Sequence, residues 1–193
     1  NRLIYVAVLL LSVFLNSVYA VRAFNKNPFD SIAIFHQTNI TAHRGASTEA
    51  PENTMAAFKK AIENMADYIE LDVQMTADGE LVVIHDSNVY RTTGVDANVA
   101  DLTLAQIKQL DAGAYFGEQY VGERVPTLEE VLDFAEGKVQ LNIEIKGSNP
   151  NTLIADRVVE MIEKYDMQSD CVVTSFDYNI IKRVKQLSDE IEV

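Results

Sequence analysis

The sequence predicts an α/β fold organised around a sheet of parallel strands, and two observations indicate it. From Asn39 onward, short apolar runs of strand character alternate with segments whose apolar residues recur at helical intervals, an order typical of strand–helix–strand units. Two of the apolar runs also end in closely spaced pairs of charged residues. Because buried charges are costly unless they are paired or bind a metal ion, these pairs indicate a functional site at the sheet.

The predicted strands and helices follow one another from residue 39 to residue 193. Strands are expected near residues 40–45, 68–73, 81–86, 139–146 and 171–176. Asn53 is the predicted N-cap of a first helix that carries Phe58 and Ala61 on one face. Thr127 and Glu130 have the spacing of a capping box at the start of another helix. Further helices are expected near residues 104–110, 152–165 and 178–187.

The connection between the second and third predicted strands is too short for a helical crossover. Only residues 74–80 separate the strand that bears Asp72 from the strand that ends at His85, and Asp78-Gly79 is typical of a hairpin turn. A two-residue turn at this position would set Asp72 opposite His85. A barrel in which the link runs as extended chain would also bring the two residues together, so the residues alone leave both arrangements open.

The first residues of the chain have a different composition. No charged residue occurs from Leu3 to Val21, and Arg2 and Arg22 flank this segment; a run of this length can cross a bilayer. We therefore expect a transmembrane helix within residues 1–22, with a cleavable signal peptide as the alternative, followed by a linker over residues 23–38. The expected location is the cell membrane, through residues 3–21, with the catalytic domain outside the cytoplasm.

Composition and charge limit the possible functions. The chain has 193 residues, of which 48% are hydrophobic, enough to bury a sizeable core. A formal net charge of −13 argues against nucleic acid as a partner, because nucleic-acid phosphates favour surfaces rich in lysine and arginine. Cys171 is the only cysteine, so it cannot form an intramolecular disulfide, and we expect it to be a buried apolar residue.

The charged pairs are Glu70 with Asp72 and Glu144 with Lys146, each two residues apart. Since side chains alternate between the two faces of a strand, each pair projects from one face of its own strand. One shared site would then collect three carboxylates and one ammonium group. Such a set suits a hard divalent cation with a phosphate group beside it.

Several short motifs, taken together and in order, resemble those of one enzyme family. They are His43-Arg44-Gly45, Pro51-Glu52-Asn53-Thr54, Glu70-Leu71-Asp72-Val73, Asp78-Gly79, His85-Asp86, Pro126-Thr127-Leu128-Glu129-Glu130 and Asn142-Ile143-Glu144-Ile145-Lys146. Over residues 40–177 this set resembles the glycerophosphodiester phosphodiesterases. The resemblance implies a (β/α)8 TIM-barrel phosphodiesterase fold, with the barrel form of the short second link and an insertion over residues 92–122 at the mouth of the site.

The resemblance also implies the roles of the acidic residues and the histidines. Glu70, Asp72 and Glu144 would bind one divalent metal ion, Ca²⁺ or Mg²⁺. His43 and His85 would serve as acid and base, one protonating the departing alkoxide and the other deprotonating the nucleophile. That nucleophile would be either water or the 2-hydroxyl of the glycerol.

The remaining motif residues would support this centre. By the same resemblance, Arg44 and Lys146 would hold the phosphate group. We expect Asn53 to be a structural cap and Glu52 to orient the metal site, and Asp86 to form a turn after its strand. The implied reaction is hydrolysis of a small glycerophosphodiester to glycerol phosphate and an alcohol. The alternatives are a lysophospholipase D that acts on membrane lipids and a barrel that binds a ligand without catalysis.

The predicted strands do not complete the barrel that the family resemblance implies. That barrel has eight strands, whereas the sequence predicts about five. Val193 follows a helix that would lead into a sixth strand, and the first residue is Asn1 rather than methionine. We therefore expect residues 39–193 to form a C-terminally truncated piece of the barrel domain.

Overall fold

The computed structural model of the protein describes residues 11–13, 16–17, 38–147 and 152–193. The chain divides into two units, Asn1–Thr38 and Asn39–Val193, and the second unit contains a sheet with helices. Its strands are β1 (Thr41–Ala42), β2 (Tyr68–Met75), β3 (Leu81–Val83), β4 (Gln140–Ile145) and β5 (Cys171–Thr174). Its helices are α1 (Met55–Glu63), α2 (Tyr90–Thr93), α3 (Leu104–Ile107), α4 (Leu128–Ala135), α5 (Leu153–Lys164) and α6 (Tyr178–Leu187).

The prediction of a transmembrane helix before this domain is corrected by the structure. Within the described part of the chain, no helix has both the length and the apolar character needed to cross a bilayer. Of the predicted span Leu3–Val21, the structure describes residues 11–13 and 16–17, which are helical and exposed, whereas a span needs about 20 consecutive apolar residues. The rest of that span and residues 23–37 of the predicted linker lie outside the described residues.

Parallel pairing of four strands confirms the predicted α/β sheet. The strand order is β1-β2-β4-β5, and each of these neighbouring pairs is parallel. The central pair has the longest register, from Tyr68 opposite Gln140 to Val73 opposite Ile145. Because neighbouring parallel strands run in the same direction, this register places Asp72 of β2 directly beside Glu144 of β4.

The strand β3 forms a hairpin with β2, which is one of the two arrangements that the residues left open, and not the barrel form that the family resemblance implied. It pairs antiparallel with Val73–Met75 at the end of β2, and β4 rather than β3 continues the parallel series beside β2. The hairpin register differs from the predicted one, because the loop consists of residues 77–79 and not of a two-residue turn. Ile84 therefore lies opposite Asp72, and its N–H donates to the Asp72 carbonyl at 2.9 Å, in the position predicted for His85.

Side-chain caps define the start of α1 and α4. Thr54, not the predicted Asn53, is the N-cap of α1, and its hydroxyl accepts a hydrogen bond from the N–H of Ala57. The predicted capping box of α4 is confirmed: Thr127 Oγ1 accepts from the N–H of Glu130 at 3.1 Å, and the Glu130 carboxylate accepts from the N–H of Thr127 at 2.8 Å. Each cap satisfies helix N–H groups that have no partner within the helix.

Two hydrophobic clusters meet at the hairpin. The larger one lies between the sheet and its helices and includes Phe58, Leu71, Val83, Leu132, Ile143 and Val158. The smaller one lies beneath the residues that connect β3 to α4, and it includes Val82, Ile84, Val89, Ile107 and Val125. Successive residues of β3 thus enter different clusters, as expected from the alternation of side chains along a strand. The connection, which we call the β3–α4 segment (residues 84–127), is therefore anchored on the hairpin.

The only cysteine lies inside the domain. Cys171, at the start of β5, is 2% exposed and belongs to the larger cluster. Burial raises the pKa of its thiol to about 12, with a smaller contribution from the charge of Asp170. The prediction of a buried apolar residue is confirmed, and the thiol remains protonated at neutral pH.

Candidate active site

The register of β2 and β4 builds a cluster of three carboxylates. Asp72 lies directly opposite Glu144 on the neighbouring strand, and Glu70 precedes Asp72 by two residues on the same face of β2. One carboxylate oxygen from each residue lies within 4.8 Å of the others. The structure therefore brings together the three residues that the sequence predicts as metal ligands.

The environment of these carboxylates fits a bound cation. Asp72 is 1% exposed, and no group among the described residues donates a hydrogen bond to its buried Oδ1. Burial raises the pKa of Glu70, and the charges of Asp72 and Glu144 raise it further, against the opposing hydrogen bond from the Arg44 N–H. A buried carboxylate oxygen without a donor and mutually repelling acids are both stabilised by a hard divalent cation.

Asn53 binds the other carboxylate oxygen of Asp72, Oδ2. Its Nδ2 donates to Asp72 Oδ2 at 2.8 Å, and its Oδ1 accepts from the Asp72 N–H at 3.3 Å. The residue is buried and has a φ of 55°, a left-handed conformation that asparagine tolerates better than most residues. Asn53 is thus a positioning residue of the carboxylate cluster and not the helix cap that the sequence suggested.

The turn His43-Arg44-Gly45 follows β1 and borders the same cluster. His43 Nε2 lies 3.9 Å from Glu70 Oε2, and the His43 side chain is 70% exposed. The backbone N–H of Arg44 donates to Glu70 Oε2 at 2.7 Å. Gly45 has a φ of 78°, and a Cβ at this position would lie 2.8 Å from the carbonyl carbon of Ala57. Only glycine permits this close contact between the turn and α1.

Two cationic side chains stand beside the carboxylates. The guanidinium of Arg44 donates to Glu52 at 3.0 Å, and its Nε lies 3.4 Å from Asp72 Oδ2. Lys146 Nζ donates to Glu144 at 2.7 Å and lies 3.0 Å from Asp72 Oδ1, in a direction that makes an ion pair without a hydrogen bond. Burial alone would lower the pKa of Lys146, but Glu144 and Asp72 outweigh it and raise that pKa. Lys146 is therefore positively charged, and the guanidinium of Arg44 is charged as arginine always is in proteins.

His85 is held by the residue that follows it. Its Nδ1 lies 2.7 Å from Asp86 Oδ1. The hydrogen bond from Arg91 is the main cause that lowers the pKa of Asp86, against the effect of burial, so Asp86 is a carboxylate and can only accept a hydrogen bond. The proton of this contact therefore belongs to His85 Nδ1, which leaves Nε2 for proton exchange with a ligand. Asp86 thus binds the histidine as well as following the strand.

A side chain on β2 fixes the backbone on which His85 sits. Gln74 Nε2 lies 3.0, 2.9 and 2.7 Å from the carbonyl oxygens of Ile84, His85 and Asp86, respectively. Sequence reasoning missed Gln74, although its spacing of two from Asp72 places it on the same face of β2. That spacing could have indicated its place at the site.

The side-chain hydrogen bonds of Glu52 go to arginines and not to the three carboxylates of the cluster. Glu52 accepts hydrogen bonds from Arg44 and, through both carboxylate oxygens, from Arg91. Burial would raise the pKa of Glu52, but Arg91 and Arg44 outweigh it and lower that pKa. Glu52 therefore orients the Arg44 side chain, whose Nε lies 3.4 Å from Asp72, so any effect of Glu52 on the carboxylate cluster passes through Arg44.

A cavity of about 810 Å³ opens beside these residues. Its lining includes Gln74, His85, Asp86, Tyr90, Arg91, Asp96 and Lys146. A ligand in this space reaches both a histidine and a lysine of the site, so the cavity has the position and size of a small-molecule site.

Comparisons with known proteins agree with this geometry. The profile of the glycerophosphoryl diester phosphodiesterase family matches residues 43–193. A glycerophosphodiester phosphodiesterase from Caldanaerobacter subterraneus is 46% identical over 159 residues, covering 81% of this chain and 65% of that protein. A putative glycerophosphodiester phosphodiesterase from Bacillus subtilis is 44% identical over 152 residues, covering 79% of this chain and 63% of its own length.

Solved structures give the same result. A phosphodiesterase from Oleispira antarctica in complex with its product sn-glycerol-3-phosphate has a TM-score of 0.76 at 34% identity, covering 80% of this chain and 64% of that one. A glycerophosphodiester phosphodiesterase from Agrobacterium tumefaciens has a TM-score of 0.74 at 35% identity, covering 80% and 65%. The chain thus spans less than two thirds of the length of these relatives. By its matched residues, the chain belongs to the glycerophosphoryl diester phosphodiesterase family.

Proposed function

We propose that the protein hydrolyses glycerophosphodiesters to glycerol phosphate and an alcohol in a metal-dependent reaction. The observation that carries this proposal is the cluster of Glu70, Asp72 and Glu144, whose oxygens lie within 4.8 Å of one another. Lys146 stands beside it, and His85 lines the same cavity as Lys146. The names of the relatives support the diester substrate, and the product in the Oleispira structure supports glycerol phosphate as one product.

The three carboxylates would hold one divalent ion, Ca²⁺ or Mg²⁺, since both prefer oxygen ligands. When bound, such an ion supplies positive charge that stabilises the negative charge developing on the phosphate. The burial of Asp72 and the position of its carboxylate within 4.8 Å of those of Glu70 and Glu144 support Asp72 as a ligand. Asn53, bonded to the other oxygen of Asp72, keeps this carboxylate in one orientation.

Arg44 and Lys146 would bind the phosphate of the substrate. Each is charged and forms an ion pair with Asp72 of the carboxylate cluster. A phosphate group bound next to that cluster would therefore lie within reach of both the guanidinium and the ammonium group. The guanidinium of Arg44 can offer two parallel hydrogen bonds, whereas the ammonium of Lys146 acts as a compact charge. Together they orient the scissile bond.

His43 and His85 would transfer the protons of the reaction. One imidazole takes a proton from the attacking hydroxyl or water as the new P–O bond forms, and the other gives a proton to the alcohol oxygen as its P–O bond breaks. His85 exchanges its proton through Nε2, because Asp86 occupies Nδ1. If the 2-hydroxyl of the glycerol attacks first, water then opens the cyclic phosphate, and the overall products are the same.

To test the proposal, the protein is incubated with glycerophosphocholine and either Mg²⁺ or Ca²⁺, and the release of choline is measured. ³¹P nuclear magnetic resonance spectra identify the phosphate product. We expect turnover of glycerophosphocholine with at least one of the two metal ions. A chelator should abolish this turnover, and addition of the metal ion should restore it. The Asp72→Asn variant serves as the matched control without a working metal site. Absence of turnover in both metals, or turnover that survives chelation, would contradict the proposal.

A second candidate is lysophospholipase D activity. A human lysophospholipase D is 35% identical over 158 residues, covering 78% of this chain and 49% of that protein. Both reactions release choline, so lysophosphatidylcholine can replace glycerophosphocholine in the same assay. Turnover of the lysolipid alone would assign the second activity, and turnover of the water-soluble diester alone would assign the first.

A further inference from the structure

Arg91, in the short helix α2, joins two carboxylates that belong to different loops of the site. Its Nη1 and Nη2 each donate to Glu52 at 2.8 Å, and its Nε donates to Asp86. Glu52 lies in the connection between β1 and α1, whereas Asp86 follows β3. One guanidinium therefore uses its planar set of donors to connect two loops that are distant in sequence.

Each carboxylate that Arg91 holds is in turn bonded to a residue of the proposed chemistry. Glu52 accepts from the guanidinium of Arg44 at 3.0 Å, and Asp86 contacts Nδ1 of His85 at 2.7 Å. A continuous chain of polar contacts thus runs from His85 through Asp86, Arg91 and Glu52 to Arg44. It links the proposed proton-transfer group to the proposed phosphate-binding group.

A simple stabilising ion pair does not account for this arrangement. The Arg91 side chain is 46% exposed, and exposed ion pairs contribute only about 0–1 kcal/mol to stability. The chain contains an arginine–aspartate pair of the same chemistry at Arg183 and Asp156, which joins α6 to α5. What distinguishes Arg91 is that both of its acceptors also bind residues of the site.

The β3–α4 segment holds the Glu52 loop at two further points. The N–H of Glu52 donates to the hydroxyl of Tyr115 at 3.2 Å, and the hydroxyl of Tyr120 donates to the carbonyl of Glu49 at 2.7 Å. Arg91 belongs to the same segment. The position of Glu52, and through it that of Arg44, is therefore set by a part of the chain that carries none of the three carboxylates of the cluster.

We propose that Arg91 is a positioning residue, which touches no reacting atom but keeps the imidazole of His85 and the guanidinium of Arg44 in a fixed geometry relative to each other. The inference rests on the proposed function of the site. Because His85 and Arg44 would act on the same phosphate, a displacement of one against the other by about 1 Å can reduce the rate by up to roughly a hundredfold.

Arg91 also offsets the charge of the carboxylate that binds His85. The charged groups that line the cavity with His85 are Asp86, Arg91, Asp96 and Lys146. Without Arg91, Lys146 is the only cationic residue in this lining, against the two anionic residues Asp86 and Asp96. Since uncompensated negative charge stabilises an imidazolium, His85 would keep its proton to higher pH in the absence of Arg91.

The test compares Arg91→Gln with Arg183→Gln in the full chain. We expect Arg91→Gln to lower kcat/KM for glycerophosphocholine by about tenfold, an effect of the size seen when an orienting partner is removed. Nuclear magnetic resonance should show the titration of His85 moving to higher pH in Arg91→Gln than in the wild type. Arg183→Gln should leave the kinetics and the His85 titration as in the wild type, while thermal unfolding measures the loss of an ion pair in each variant.

A double-mutant cycle with Glu52→Gln tests whether the chain of contacts acts as one unit. If Arg91 works through Glu52 and Asp86, the losses in kcat/KM are not additive in the double variant. Wild-type kinetics in Arg91→Gln, an unchanged titration of His85, or strict additivity would each overturn the proposal. The titration needs no substrate, so it tests the role of Arg91 even if the protein does not hydrolyse the diester.

Discussion

The two halves of the site are built in different ways. Glu70, Asp72 and Glu144 lie on strands β2 and β4, and the parallel register of those strands sets their spacing. His43 and His85 lie on turns that follow strands: Asp86 and Gln74 hold His85, whereas the exposed His43 lies 3.9 Å from Glu70. Backbone hydrogen bonds thus determine the positions of the three carboxylates, which we call the strand half of the site. The histidines and the residues that contact them, which we call the loop half, depend on contacts between loops.

This difference shows which substitutions will act locally and which will act at a distance. A strand ladder resists the loss of one side chain because its backbone bonds remain. A chain of side-chain contacts has no such backbone support, so the loss of one member frees its neighbours. We therefore expect variants of the strand half to change metal binding, and variants of the loop half to change turnover while the metal stays bound.

The largest effect is expected for Asp72→Asn and Glu144→Gln. Removing one anionic ligand weakens metal binding and leaves the remaining acids to repel each other, so kcat should fall by roughly a thousandfold or more, equal to about 4 kcal/mol of transition-state stabilisation. Calorimetric titration with Mg²⁺ or Ca²⁺, beside the choline-release assay, measures both quantities. Metal binding as tight as in the wild type would show that these carboxylates are not ligands.

The next effect is expected for His85→Ala and His43→Ala, which test the loop half. Loss of a general acid or base should lower turnover by roughly a hundredfold or more, while the metal titration stays as in the wild type. If either variant loses the metal, that histidine is a ligand and the division of the site into two halves fails. Lys185→Gln, at the exposed end of α6 and outside both halves, is the control.

Asn53→Ala tests the point where the two halves meet. Asn53 belongs to the loop after β1 but bonds to Asp72 on β2. The variant should weaken metal binding by about tenfold and destabilise the protein by roughly 1–3 kcal/mol, because Asp72 loses a buried partner and alanine is strained at positive φ. Asn64→Ala is the matched control, since Asn64 bonds to Glu49 on the surface. Equal results for both variants would count against the role given to Asn53.

The smallest effect is expected for Thr127→Ala, which lies outside both halves. Loss of the capping box should reduce the free energy of unfolding by about 1 kcal/mol, with kcat and KM unchanged. Chemical denaturation and the choline-release assay test the two parts of this expectation. A change in kcat would show that α4 is coupled to the site.

Sequence reasoning predicted the strand half well because its rules are local. The period-two spacing of Glu70 with Asp72, and the polar ends of apolar strands, were sufficient to predict that Glu144 joins them. The hairpin register was wrong by one residue, because Asp78-Gly79 indicates a turn but does not determine whether its loop has two or three residues. The predicted transmembrane helix rested on the length and apolar composition of residues 3–21, and it was wrong in that no helix of the described residues is long and apolar enough to cross a bilayer.

The contacts of the loop half were largely invisible in the sequence. Asn53 was interpreted as a helix cap because asparagine is a preferred N-cap residue, whereas the cap of α1 is the next residue, Thr54. No sequence pattern indicated the role of Arg91, because its partners Glu52 and Asp86 lie at spacings from it that match neither a strand nor a helix period. Only the three-dimensional arrangement of the loops brings these residues together.

The burial of Cys171 gives the protein a practical advantage for spectroscopy. Its thiol has a pKa of about 12 and is shielded from solvent, so maleimide reagents will not modify the native protein at neutral pH. A cysteine introduced at an exposed position would therefore be the single labelled site. Val121, which is 64% exposed and lies in the β3–α4 segment, is such a position, and a fluorophore attached there would report on movements of the segment that contains Arg91.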